Sequence, residues 1–165
     1  MKKYHIGYTA GVFDLFHIGH LNLLERCKEM CDILIVGVCD DDYVHNIKHK
    51  DPVYPEQDRV RILNALKCVD RAELVNFQIT DDKMLALEKF GFDVLFSGDD
   101  WKGSERYNKT EKQFAEKGVS IEYFPYTKGI SSTKITQALH DIRGWSSEAA
   151  QKALHINTEG GQENG

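Results

Sequence analysis

Two histidines three positions apart, His17 and His20, flank Gly19 in the run Gly11-Val12-Phe13-Asp14-Leu15-Phe16-His17-Ile18-Gly19-His20. The run follows a strand-like segment and opens a helical one. The imidazoles therefore sit where unpaired amides and the positive end of a helix dipole favour an anion. Side chains three apart on a helix share a face, so the two rings can converge on one oxyanion. Gly19 lets a phosphate or a base approach the backbone closely. A second cluster is Gly98-Asp99-Asp100-Trp101. A third is Tyr126-Thr127-Lys128-Gly129-Ile130-Ser131-Ser132-Thr133-Lys134-Ile135. There Gly129 allows a tight turn, and consecutive hydroxyls stand beside helix N-terminal amides, again an arrangement for phosphate. Between these clusters, Lys48–Glu56 carries Lys48 and Lys50 and is stiffened by Pro52 and Pro55. Singly, each cluster has a plain structural explanation: incidental histidines, a helix cap, solvated lysines. Together, at the ends of successive strands, they describe one site for handling phosphates. Asp14 is read as holding the turn before His17, with approach to a divalent metal as the alternative.

The pattern resembles the cytidylyltransferase branch of the nucleotidyltransferase superfamily. Gly11–His20 is similar to its histidine signature, and Tyr126–Ile135 is similar to its Arg-Thr-Glu-Gly-Ile-Ser-Thr-Thr-Lys-Ile signature. The likeness spans roughly residues 4–142. It implies transfer of a cytidylyl group from CTP to a small phosphorylated alcohol, with release of pyrophosphate. Length and the Gly98–Trp101 run are most similar to members that use glycerol 3-phosphate and give CDP-glycerol. The resemblance further implies Mg2+ and a homodimer, with no side chain assigned to the metal. It implies His17, His20 and Lys48 as catalytic residues. Around the nucleotide it implies Gly11, Val12, Phe13, Gly19, Gly98, Asp99, Tyr126, Thr127, Gly129, Ile130, Ser131, Ser132 and Thr133, together with both histidines. Around the acceptor it implies Lys48, Lys50, Arg59 and Trp101, with a structural ion pair as the alternative for Arg59 and a packing anchor as the alternative for Trp101.

Three positions depart from the family pattern. Tyr126 stands where the family usually has Arg, and Lys128 where it has Glu. Val12 stands where the members acting on glycerol 3-phosphate have Thr, and is more like the choline-phosphate members. Tyrosine cannot supply the fork of donors that a guanidinium offers a triphosphate; Lys128 or Arg106 could compensate. Alternative readings keep the same fold: a cytidylyltransferase for ethanolamine or choline phosphate, an adenylyltransferase, or a non-catalytic nucleotide-binding regulatory module. The intact histidine pair argues against the last. A flavodoxin-like carrier would need a flavin-binding loop after a strand, and none is evident.

The elements that must position these residues alternate along the chain. Apolar runs predict strands over Tyr4–Thr9, Asp32–Cys39, Asp70–Val75, Asp93–Ser97 and Val119–Phe124. Amphipathic spacing predicts helices over Ile18–Met30, Glu56–Leu66, Asp81–Phe90, Glu105–Lys117 and Ser131–Ile142, with Ser131 or Ser132 as the last N-cap. Strands joined by helical crossovers imply an α/β, Rossmann-like, doubly wound five-stranded parallel sheet with helices on both faces. Ligands of such sheets lie at the carboxyl ends of the strands, here after Thr9, Cys39, Ser97 and Phe124. One nucleotidyltransferase domain is expected over 1–143. Beyond it a tail is expected, with a short helix over Glu148–Leu154 and a disordered, Gly-rich polar end over Thr158–Gly165.

Composition agrees with one such domain. The 165 residues are 41% hydrophobic, enough for one core. A net charge of −5 argues against a generally basic nucleic-acid-binding face, while leaving room for a local basic pocket. No apolar run reaches the roughly 18–20 residues of a membrane span. No apolar segment follows Lys2 and Lys3, so Cys27, Cys31, Cys39 and Cys68 are expected as free, mostly buried thiols in a reducing cytoplasm. Cys27 and Cys31 lack a second Cys/His pair at zinc-site spacing.

Overall fold

A computed structural model describes residues 1–143, so the expected tail over 144–165 lies outside the described residues. Contacts divide the chain into two compact units, Met1–Lys128 and a second beginning at Gly129.

The first unit holds five strands: β1 (Tyr4–Gly11), β2 (Cys31–Cys39), β3 (Arg71–Val75), β4 (Val94–Gly98) and β5 (Ser120–Phe124). They pair in parallel in the order β3-β2-β1-β4-β5. The chain thus winds outward from β1 to β3, then crosses back to lay β4 on the other side of β1. The break between β1 and β4 is the switch point at which such sheets bind ligands. The two loops that leave it carry Gly11–His17 and Gly98–Trp101.

Helices α1 (Ile18–Met30) and α3 (Glu56–Asn64) are among those that cover one face, and α5 (Lys83–Phe90) and α6 (Glu105–Glu116) the other. The reason is strand alternation, since successive side chains point to opposite faces. Leu34, Val36 and Val38 of β2 pack with Leu24 and Cys27 of α1 and Leu63 of α3. Ile35 packs on the opposite side with Tyr8, Leu95, Phe90, Tyr107 and Phe114. Cys27, Cys31 and Cys39 are buried free thiols, and burial raises the pKa of each.

Two helices were not expected from spacing. Helix α2 (Asp41–Lys48) follows β2 directly, capped by the Asp40 carboxylate, which accepts from the Tyr43 amide at 2.8 Å. Its acidic first turn suits the helix dipole. Helix α4 (Phe77–Asp81) follows β3 behind an Asn76 cap. It takes up Asp81, so the next helix starts at Lys83 rather than Asp81, with Asp82 as its cap. A single 3-10 turn covers Asp99–Trp101.

In the second unit, Gly129 adopts φ 90°, a left-handed turn that favours glycine. Helix α7 (Ser132–Arg143) follows. Of the two expected caps it is Ser131 that serves: its hydroxyl accepts from the Lys134 amide at 3.1 Å, and its carbonyl from Ile135 at 3.0 Å. No helix among the described residues is long and apolar enough to cross a membrane.

Candidate active site

The histidine pair sits at the start of α1 in a reciprocal cap. His17 is the N-cap residue, and its Nδ1 accepts from the Gly19 amide at 3.0 Å. The amide of His17 in turn donates to Nδ1 of His20 at 3.2 Å. This is the geometry of a capping box, with imidazoles in the roles usually played by a hydroxyl and a carboxylate or amide. The chemical consequence is a fixed tautomer. A nitrogen that accepts an amide proton carries none of its own, so each neutral ring holds its proton on Nε2. The rings stack with centroids 3.9 Å apart. Burial lowers the pKa of His17. Burial, and then the neighbouring His17, pulls His20 down to about 4. At neutral pH the pair is two uncharged Nε2–H donors, side by side at a helix N-terminus.

The loop that delivers these rings is strained and heavily braced. Phe13 and Leu15 both adopt left-handed conformations, φ 55° and 49°, in a segment with no glycine. Each such residue costs on the order of 1–2 kcal/mol. Phe13 is held from below, 5% exposed, its ring edge-on to His20 at 5.4 Å. A side chain at Gly11 would reach that ring, with its Cβ 3.1 Å from Phe13 Cε2. Phe16 stacks on His20 at 5.3 Å. The carboxylate of Asp14 accepts from the amides of Val53 at 2.7 Å and Tyr54 at 2.9 Å, which fastens the loop before His17 to the segment leading into α3.

Of the two readings of Arg59, acceptor contact and structural ion pair, the geometry favours the second, because its side chain is wholly buried. Its Nη1 donates to the carbonyls of Val12 at 2.7 Å and Cys39 at 2.8 Å, and its Nε to Tyr54 at 3.0 Å. Its Nη2 meets the Asp41 carboxylate at 2.5 Å. One guanidinium thus ties the ends of β1 and β2, the start of α2 and the approach to α3. Arg59 is a positioning residue beneath the site. Asp41 was missed as its partner, although the acidic run directly after a strand was visible.

The remaining candidates of the first unit lie at the carboxyl edge of the sheet or on the segments leaving it. Lys48 ends α2, and His49 follows in a left-handed cap, φ 53°, whose amide donates to Val44. Lys48 and Lys50 are exposed and make no ion pair among the described residues. After β4, a side chain at Gly98 would collide with Tyr126, Cβ to hydroxyl 2.6 Å, so the missing Cβ is what admits that ring. The Tyr126 hydroxyl donates to Asp100 at 3.2 Å. Tyr126 stays largely exposed; partial desolvation, followed by Asp100, pushes the phenol up to about 12. Trp101 stacks on Tyr107 at 5.5 Å and stays partly exposed, with Arg106 over its ring. Asp99 is exposed beside it. Thr127 accepts from Asn22 of α1 at 3.4 Å, which draws the end of β5 toward the histidine helix. Ile130, Ser131, Ser132 and Thr133 belong to the second unit.

A parallel α/β sheet whose switch point presents a helix N-terminus and two neutral imidazole donors defines a nucleotidyl-transfer domain. Residues 8–138 match the model of the cytidylyltransferase-like family, and the chain belongs to that family. It is 38% identical to glycerol-3-phosphate cytidylyltransferase of Staphylococcus aureus, over 80% of this chain and 92% of that one. It is 36% identical to the glycerol-3-phosphate cytidylyltransferase of Bacillus spizizenii, over 81% of this chain and 96% of that one. Among solved structures it is similar to a lipopolysaccharide core biosynthesis protein from Thermoplasma volcanium. The TM-score is 0.62 at 28% identity, with 77% of this chain and 99% of that one covered.

Proposed function

We propose that the protein transfers the cytidylyl group of CTP to glycerol 3-phosphate, giving CDP-glycerol and pyrophosphate. The observation that carries the reading is the mutual capping of His17 and His20 at the start of α1. The names of the two relatives above, and the Gly98–Trp101 run, support the acceptor.

An oxygen of the acceptor phosphate attacks the α-phosphorus of CTP. The bond from that phosphorus to the oxygen bridging it to the β-phosphate breaks, and pyrophosphate leaves with the electron pair. The acceptor is a phosphate monoester already ionised near neutral pH, so it needs no general base. The difficulty is bringing two anions together and stabilising the charge that shifts onto the leaving group. Catalysis is then positioning and electrostatics, with no covalent enzyme intermediate. Two Nε2–H groups fixed by backbone amides donate to phosphate oxygens without having to reorient. Lys48, with Lys50 close in sequence, meets the acceptor phosphate.

We assign Gly129, Ile130, Ser131, Ser132 and Thr133 to the β- and γ-phosphates on the family motif alone. Among the described residues no three His, Cys, Asp or Glu side chains gather into a metal cage, and Asp14 is engaged with two amides. A Mg2+ ion held mainly by nucleotide oxygens and its own waters fits that donor set. It would neutralise charge on the triphosphate. The homodimer rests on the same family resemblance.

A second acceptor, choline phosphate, is favoured by Val12. Pyrophosphate release from CTP, ATP, GTP and UTP against glycerol 3-phosphate, ethanolamine phosphate and choline phosphate tests the reading. The expected result is turnover with CTP and glycerol 3-phosphate. An ATP preference would overturn the nucleotide, and turnover confined to an aminoalcohol phosphate would overturn the acceptor.

A further inference from the structure

The two free lysines lie inside a small closed loop. His45, in the last turn of α2, places Nδ1 2.7 Å from the Asp51 carboxylate. The seven residues from His45 to Asp51 include Lys48 and Lys50. Between them the chain reverses at His49, whose left-handed conformation is unfavourable for a residue with a Cβ. The reversal needs support, and the cap amide to Val44 is joined by a long Lys50 amide contact to the same carbonyl at 3.4 Å. Past Asp51, Pro52 and Pro55 restrict the backbone, and the Val53 and Tyr54 amides are held by Asp14, three residues before His17. The lysine segment is therefore fastened at its far end to the histidine loop. At its near end the side-chain tether is the His45–Asp51 pair.

Charge gives the pair a second role. Asp51 is the carboxylate nearest in sequence to both lysines, one residue from Lys50 and three from Lys48. Left alone it would compete with an incoming phosphate for their ammonium groups. Bound to His45, it leaves both lysines without an ion pair among the described residues.

We propose that His45 and Asp51 are a positioning pair for the acceptor phosphate: His45 holds the Asp51 carboxylate away from Lys48 and Lys50 and fixes the segment that presents them. This rests on the reading that the lysines meet the acceptor. Neither residue touches substrate. The pair is exposed, so its effect is modest, about two- to fivefold on acceptor use.

The test is steady-state kinetics on His45→Ala, His45→Gln and Asp51→Asn, each with its melting temperature. His45→Ala leaves Asp51 free to pair with the lysines and should raise the acceptor KM about two- to fivefold, with the KM for CTP and the melting temperature unchanged. The amide of His45→Gln can still donate to Asp51 and should restore most of the loss. Asp51→Asn removes the competing charge as well as the tether, so its acceptor KM should rise less than that of His45→Ala. Wild-type acceptor KM in His45→Ala, or equal loss in the Ala and Gln variants, would overturn the proposal. Absence of turnover in the wild type with any acceptor phosphate would instead overturn the function on which it rests.

Discussion

The Nδ1 atom of His20 accepts the amide proton of His17 across 3.2 Å, so the second histidine of the pair completes the helix cap that the first one begins. Structure and chemistry share the same atoms. The backbone takes one nitrogen from each ring, and what remains to face a substrate is a proton donor whose tautomer the fold has already chosen.

That division can be separated experimentally. Asn is a good N-cap and Gln a good third-position partner, so His17→Asn and His20→Gln rebuild an ordinary capping box without imidazole. Both variants should melt within a degree or two of the wild type and lose on the order of 100-fold or more in kcat, the usual cost of removing a transition-state donor. His17→Ala should lose the cap too, about 1 kcal/mol of stability. Near-normal kcat in both cap-preserving variants would show that the rings serve only the helix.

Arg59 should behave as structure. Replacing it with Met strands the carbonyls of Val12, Cys39 and Tyr54 and leaves Asp41 without its cation. Each buried acceptor left unpaired costs about 1–3 kcal/mol, so a loss of roughly 3 kcal/mol or more in urea unfolding is expected. Arg59→Lys should recover little, since one ammonium cannot reach four acceptors. A stable Arg59→Met protein with only its acceptor KM raised would return Arg59 to the substrate.

Stability should fall with pH on the acid side in a defined window. The folded pKa of His20 lies below its ordinary value of 6.5, near 4, and that of His17 is also lowered. The unfolded chain therefore binds more protons than the folded one between those values. The sign follows: the contribution is fully present above about pH 6.5 and is lost as pH falls toward 4. Urea midpoints across this range should drop for the wild type and fall less steeply for His20→Gln. Parallel curves for the two proteins would contradict the assignment.

Tyr8 offers a change in the other direction. It is fully buried between Phe90 and Phe92, and its hydroxyl has no hydrogen-bond partner among the described residues. That oxygen occupies the space above Gly37, 2.3 Å from where a Cβ would stand. Tyr8→Phe removes the orphan hydroxyl and keeps the stack, and should stabilise by about 1 kcal/mol. Destabilisation on thermal unfolding would mean the hydroxyl has a partner in solution.

Sequence periodicity was enough for the five strands: β2 is a nearly continuous apolar run, while β3 and β5 keep apolar residues at alternate positions around Glu73 and Glu122. It did not reveal the helix Asp41–Lys48, in which only Val44 is buried and the remaining residues are mostly charged or polar. Such a helix is defined by its Asp40 cap and by Arg59 reaching Asp41, a contact 18 residues away along the chain. The histidines were legible from their spacing. Their reciprocal cap was not, because imidazole is an unusual capping group and its acceptor nitrogen shows only in three dimensions. The sequence leaves Arg59 between acceptor contact and structural ion pair for a related reason. A lone arginine at a helix start looks the same in sequence whether it faces a phosphate or a ring of backbone carbonyls. The order of strands, which puts Gly11 and Gly98 on neighbouring strands, depends on pairings far apart in the chain.

The central claim is that a phosphate oxygen of the acceptor becomes bonded to the α-phosphorus of CTP, with pyrophosphate as the leaving group. It is tested by giving the enzyme CTP and glycerol 3-phosphate whose non-bridging phosphate oxygens carry oxygen-18, then weighing both products by mass spectrometry. The account predicts that every labelled oxygen appears in CDP-glycerol, one of them in the new diphosphate bridge, and that pyrophosphate carries none. Label in pyrophosphate, or CTP consumed without CDP-glycerol, would contradict it.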